Sequence, residues 1–221
     1  DVDVNLGLSD SIKRSMAQHF PNARFKVLYN AVPTYGRNLY NPDADTIVFM
    51  GRLGERKGTF DLIKAFSTVA SRIDSKYHLA LCGDGDIDAA RSQIDELGLS
   101  DRIACLGWVD SKQRERILND AVLNVLPSYN EGLPMSILEA MAHGIPTIST
   151  NIAAIPEVVQ SGVNGMLVEP GDIDALGDAL TSLLDDADDR KQMSAAAFEL
   201  IESTYSLDAH MKQVKELYRL C

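Results

Sequence analysis

From residue 46 onward the chain repeats one alternation, a short apolar run followed by a stretch in which apolar positions recur every three or four residues. Thr46-Ile47-Val48-Phe49-Met50 is a run of the kind that a strand covered on both faces requires. Comparable strand patterns fall near 78–82, 102–106, 122–126, 145–149 and 165–168. Helical spacing falls between and after them, near 59–73, 87–97, 111–120, 134–143, 154–161 and 172–184. Such alternation implies right-handed βαβ crossovers, so the expected fold is α/β, a parallel sheet with helices on both faces. Ligands of open parallel sheets bind beyond the carboxyl ends of the strands, and the loops that follow the strands are where chemistry is expected.

The flanks differ from this middle. Residues 8–20 read as a helix, capped by Ser9 or Asp10 ahead of Ile12, Met16 and Phe20, with Pro21 just beyond its end. Residues 25–29 read as a strand and 30–45 as a loop. Past 184 the alternation stops, and 188–203 and 207–220 read as two helices broken near Tyr205-Ser206.

Composition narrows the partners. A chain of 221 residues, 45% hydrophobic, can bury a substantial core. Its formal charge of −11 argues against nucleic acid or an anionic membrane as the main partner, because both reward clustered Lys and Arg. Part of the excess, Asp172, Asp174, Asp178, Asp185, Asp186, Asp188 and Asp189, falls in one late helical region and reads as a solvated face. No apolar run is long enough for a transmembrane segment and no signal peptide is visible, so a soluble chain is expected. Cys82, Cys105 and Cys221 have no metal-ligand spacing and fit a reducing compartment, while His19, His78, His143 and His210 are scattered. No zinc site is expected.

Four loops could carry chemistry. Gly51-Arg52-Leu53-Gly54-Glu55-Arg56-Lys57-Gly58 offers glycines for close backbone approach, a planar fork of donors in Arg52 and a mobile charge in Lys57, a set suited to pyrophosphate. It could equally be a solvated turn. Gly83-Asp84-Gly85-Asp86 fails as a calcium loop, with Ala89 and Asp95 where Gly and Glu are needed, and reads as a turn capping the next helix. Gly107-Trp108-Val109 could present backbone to a nucleobase, although a lone tryptophan more often serves packing. His143, at a helix end, reads as a favourable charge on the helix dipole.

The strongest signal is Glu131-Gly132-Leu133-Pro134-Met135-Ser136-Ile137-Leu138-Glu139. Pro134 is well placed to begin a helix, whose free N–H groups around residues 132–136 would suit phosphate. Apolar packing explains Met135, Ile137 and Leu138. It does not explain one glutamate in the loop and a second inside the helix, whose acceptor oxygens suit sugar hydroxyls.

Taken with Pro127-Ser128, Glu139-Ala140-Met141, Gly144-Ile145-Pro146, Pro156-Glu157 and Asn164-Gly165, these loops resemble the C-terminal, donor-binding half of group 1 retaining glycosyltransferases of the GT-B fold. The wording from Glu131 to Glu139 looks closest to bacterial enzymes of capsular, exopolysaccharide and lipopolysaccharide synthesis. The resemblance implies a Rossmann-like domain over 1–205 that binds a nucleotide diphosphate sugar, followed by a helix at 206–221 that crosses back to an N-terminal domain. It implies transfer of a hexosyl unit to a growing glycan or lipid-linked acceptor held by that other domain, without which this chain would be inactive. It implies no metal or other cofactor, and a cytoplasmic site that extends to a peripheral position at the inner membrane face.

By the same resemblance, Gly51, Arg52 and Lys57 would hold the diphosphate and stabilise its departure, and Glu131 would contact the transferred sugar. Gly132, Leu133, Pro134 and Met135 would support sugar and phosphate. Glu139 would take the ribose hydroxyls, and Trp108 and Val109 would lie by the base. Three positions depart from the family: Ala31 for Gly, Pro134 for Gly, and Ala153-Ala154 for Gly-Gly. The face of the last helix with Met211, Val214, Leu217 and Tyr218 would pair with the missing half or with another copy. Two other readings stay open: a nucleotide-sugar binding module without transfer activity, and a nucleotide-sugar epimerase of similar architecture.

Overall fold

The computed structural model describes residues 4–218, so Cys221 and the end of the last expected helix lie outside the described residues. The chain opens with a small unit: β1 (Asn5–Gly7), α1 (Asp10–His19) and β2 (Phe25–Val27), the two strands paired in parallel. Ser9 caps α1, its hydroxyl accepting from the Ile12 N–H at 3.1 Å. A second cap comes from far along the chain, since the Glu157 carboxylate accepts from the Asp10 and Ser11 N–H groups at 2.8 Å each. Two N–H groups that the helix cannot satisfy itself are thereby paired.

The body is one sheet of β3 (Thr46–Met50), β4 (His78–Cys82), β5 (Ile103–Gly107), β6 (Ala121–Leu126), β7 (Thr147–Thr150) and β8 (Gly165–Val168). All pairings are parallel and the spatial order is β5-β4-β3-β6-β7-β8. Between them run α2 (Thr59–Val69), α3 (Ile87–Glu96), α4 (Ser111–Asn119) and α5 (Met135–Ala142). Strand alternation sends Ile47, Phe49, Leu79 and Leu81 into the larger core with α2, α3 and α6 (Ile173–Asp185). Val48, Met50, Ala80 and Cys82 face a smaller one with Leu118 of α4 and Ala140 of α5. The sheet is therefore covered on both sides, which is why its strands read as unbroken apolar runs.

The tail comprises α7 (Ala187–Leu200), a π-helical turn (Ile201–Tyr205) and α8 (Leu207–Tyr218). Buried Arg190 of α7 donates from Nη1 to the Leu183 and Leu184 carbonyls at 2.5 and 2.7 Å, closing the end of α6. None of α8 is buried, and Leu207, Met211 and Tyr218 are exposed. No helix among the described residues is long and apolar enough to cross a membrane.

Two expectations need correction here. Residues 154–161 form one 3-10 turn (Ile155–Glu157) instead of a helix. Asn164 takes the backbone a continuing helix would use, its amide donating to the Val158 carbonyl at 2.9 Å and its carbonyl accepting from the Gln160 N–H at 2.8 Å. Pro134 is the cap of α5 and not its first residue, at φ −67° and ψ 123°, because the helix starts at Met135.

Candidate functional site

Strand order reverses between β3 and β6, since β4 and β5 lie to one side of β3 while β6, β7 and β8 lie to the other. That puts the loops after β3 and β6 side by side, the position where open α/β sheets form their ligand crevice. The two loops are in backbone contact. Gly58 adopts φ +70°, and a Cβ there would stand 2.0 Å from the Pro127 carbonyl oxygen. The Tyr129 N–H donates to the Arg56 carbonyl at 2.9 Å.

This contact brings Lys57 to Glu131, 74 residues away in sequence, in an ion pair whose side chains are only 14% and 7% exposed. Lys57 Nζ and Ser128 Oγ both reach Glu131 Oε1, the serine donating at 2.8 Å. Arg52 stands differently. Its guanidinium is exposed and meets Asp84 Oδ2 at 3.3 Å, in the loop after β4. Asp84 thus serves the cation, while Asp86 takes the cap position at the start of α3 but makes no side-chain capping bond there.

Arg52 is the shared wall of two hollows. One, of about 260 Å³, is lined by Gly51, Arg52, Trp108, Val109, Ser136 and Glu139. The other, of about 180 Å³, runs along the turn from Arg52 to Lys57. Trp108 is 74% exposed and forms part of the first hollow, so the packing role expected of a lone tryptophan is overturned. Among the described residues no group of three or more His, Cys, Asp or Glu side chains is placed to hold a metal ion.

The amino end of α5 faces the same region. It has no side-chain cap, and the N–H groups of Met135, Ser136 and Ile137, in its first turn, lack intrahelical acceptors. Gly132 and Met135 are exposed, whereas Leu133 and Pro134 are buried. The Gly132 carbonyl accepts from the Ala154 N–H at 3.3 Å. Next to it Ala153 sits at φ +50°, left-handed backbone that costs an L-residue about 1 kcal/mol, at a place where the resembled family carries glycine.

Glu139 lies one turn into α5, with Oε1 3.2 Å from Arg114 Nη1. Burial raises its pKa and Arg114 opposes the rise. Sequence reading missed Arg114, yet a signal was present. Asp110 and Gln113 form a reciprocal capping box that fixes the start of α4 and, with it, the face Arg114 occupies. His143, only 4% exposed, stacks edge-on against Tyr35 at 4.8 Å. Burial lowers its pKa, which works against the charge expected at this helix end.

The sequence matches the family described as glycosyl transferases group 1 over residues 36–200. An uncharacterised glycosyltransferase of Methanocaldococcus jannaschii is 26% identical over 231 residues, covering 96% of this chain and 59% of the relative. Lipopolysaccharide 1,6-galactosyltransferase of Salmonella typhimurium is 31% identical over 185 residues, covering 78% of this chain and 50% of the relative. Among solved structures, the apo form of the lipopolysaccharide outer core galactosyltransferase WaaB superposes with a TM-score of 0.83 at 25% identity, over 100% of this chain and 63% of WaaB. Anabaena HepE in complex with UDP gives 0.86 at 20% identity, over 100% of this chain and 64% of HepE. The chain thus spans half to about two thirds of the length of these proteins. With the family match running through the Arg52–Lys57 loop and on through Glu131 and Glu139, and with the fold shared with those structures, this chain belongs to the group 1 glycosyltransferases of the GT-B fold.

Proposed function

We propose that residues 1–205 form the nucleotide-sugar-binding domain of a retaining glycosyltransferase that moves a hexosyl unit to a growing surface glycan. The observation that carries this reading is the Lys57–Glu131 pair, set where the strand order reverses and beside the uncapped start of α5. As the bond from the anomeric carbon to the diphosphate breaks, negative charge builds on the phosphate oxygens. Arg52, Lys57 and the first N–H groups of α5 are donors fixed in advance for that charge. Glu131 then accepts from sugar hydroxyls, Glu139 accepts from the ribose, and Trp108 and Val109 flank the base. Transfer without a metal is part of this reading, with Arg52 and Lys57 supplying the positive charge.

In this reading the acceptor binds mostly to a further domain, which also covers the exposed face of α8, and the chain alone does not turn over. Support for a UDP-linked donor comes from the fold shared with HepE, which was solved with UDP. Calorimetry of the chain with UDP, GDP and ADP tests the binding, and no heat with any of them rejects it. In the longer protein that the reading requires, Arg52→Ala is expected to lose at least about 2 kcal/mol of transition-state stabilisation. Unchanged turnover would remove Arg52 from the mechanism.

A further inference from the structure

A hollow of about 550 Å³ takes no part in the chemistry above. It lies between the turn at Glu55 and Arg56, the start of α2 at Phe60 and Asp61, and Tyr129 in the loop after β6, and it shares Glu55 and Arg56 with the hollow that runs from Arg52 to Lys57. Its size falls within the roughly 300–1,000 Å³ of small-molecule sites. Tyr129 is 47% exposed, yet its ring is held on several sides. Its N–H donates to Arg56, its hydroxyl donates to Asp61 at 2.6 Å, and the hydroxyl abuts Gly171, where a Cβ would stand 2.8 Å away. Arg56 is also fixed, donating from Nη1 to the Asn130 carbonyl at 3.1 Å. Ordered in this way, an exposed aromatic is a preorganised platform, with little side-chain entropy left to lose on binding.

The chemistry of the walls selects among ligands. Glu55 and Asp61 repel an anion, and the Arg56 guanidinium repels a cation. The polar rim disfavours a wholly apolar guest. A pyranose satisfies all parts at once, because the C–H bonds of one ring face meet the negative face of Tyr129 while its hydroxyls donate to carboxylates and accept from Arg56. Tyr129 and Glu131 belong to one loop and Arg56 precedes Lys57, so the hollow adjoins the place where transfer would occur. We infer that it is a saccharide subsite, holding a unit of the glycan at a distance from the reacting hydroxyl. The assignment to the acceptor rests on the glycosyltransferase reading above; the carbohydrate chemistry of the hollow does not.

The test is NMR titration of the chain, its tyrosine rings labelled, with maltotriose, a galactotriose and a mannotriose, before and after saturation with UDP. At least one trisaccharide is expected to shift the Tyr129 ring signals at millimolar concentration, with or without UDP. Tyr129→Ala should weaken that binding by about tenfold or more while leaving UDP affinity unchanged. Tyr129→Phe keeps the aromatic face but gives up the hydroxyl bond to Asp61, so its saccharide affinity should fall between those of wild type and Tyr129→Ala, a control for folding as well as for the ring. Saccharide binding that survives Tyr129→Ala, or no shift with any of the three, overturns the subsite. Preferential binding of trilysine at the same residues overturns it too. UDP binding without saccharide binding defeats only this inference, and saccharide binding without UDP binding defeats only the donor-domain reading.

Discussion

Glu131→Gln removes a charge and almost no volume, so it isolates what the pairing with Lys57 contributes. Both side chains are largely withdrawn from solvent, at 14% and 7% exposure. Deleting one partner of a buried pair ordinarily costs about 3–5 kcal/mol, because the other charge stays buried without compensation. Two features lower the figure. Glutamine keeps an acceptor oxygen for Ser128 and Lys57, retaining part of a bond to a charged group worth about 1.5 kcal/mol or more. Lys57 also lines a hollow, into which its ammonium can turn toward water. About 2 kcal/mol of destabilisation remains. With a urea slope of about 2–3 kcal/mol per molar for a chain of this size, the unfolding midpoint should fall by roughly 0.7–1 M. Pyrophosphate supplies the second measurement. In the wild type a diphosphate competes with Glu131 for Lys57, whereas in the variant that competition is weaker, so pyrophosphate should raise the variant's midpoint by more. An unmoved midpoint in Glu131→Gln would show that the pair contributes nothing to folding. Equal pyrophosphate shifts in the two proteins would remove Lys57 from phosphate binding.

Other perturbations follow from the same geometry. Gly58→Ala forces a side chain into left-handed backbone and against the Pro127 carbonyl, a combined cost of roughly 3 kcal/mol that should lower the thermal midpoint by about 6–12 °C; a drop of only a degree or two would mean that the two loops are not held in contact. Burial and the Asp10 carboxylate push the Tyr29 phenol up to about 12 from its usual 10.0, so its contribution to stability is complete below pH 10 and declines as pH rises toward 12. Tyr29→Phe should flatten that alkaline decline in a pH series of urea midpoints, and an identical slope would count against it. Arg114→Met removes the influence that opposes the burial-driven rise at Glu139, so on acidification affinity for whichever nucleotide binds in the calorimetric test should fall away at a higher pH than in wild type. Superposable pH profiles from calorimetry would dismiss Glu139 as a ribose ligand.

The sheet was legible because a strand buried on both faces cannot alternate, and Thr46-Ile47-Val48-Phe49-Met50 stands out against any helical spacing. β1 was missed although Val2, Val4, Leu6 and Leu8 alternate with polar residues or glycine, because the strand itself is only Asn5-Leu6-Gly7 and the helical spacing that follows was read from residue 8. The 154–161 segment misled because helical spacing of apolar residues persists there, while the group that interrupts the helix, Asn164, lies beyond it. For His143 the position at a helix end was readable. Its burial against Tyr35 was not, since that residue arrives from the distant 30–45 loop. Trp108 failed in the opposite direction, because average tendencies of a residue type say little about one residue beyond a strand end.

Within the site, residue types were readable and their partners were not. Sequence reading assigned Arg52 and Lys57 together to phosphate, whereas the fold gives Arg52 to Asp84, Lys57 to Glu131 and Arg114 to Glu139. Each pair joins different loops or helices at the carboxyl edge, so each depends on spatial strand order, which the order along the chain does not fix. The pairing changes what the cations can do. Matched charges cast little long-range field, and a protein of net charge −11 repels a dianionic donor at distance. Nucleotide capture would therefore be an exchange of partners at contact, with the donor's oxygens taking over from carboxylates that the protein already holds in place. On the proposed reading, affinity would come from directional bonds to Arg52, Lys57 and the start of α5, because an incoming phosphate would have to displace a carboxylate before it gained anything from the charge behind it.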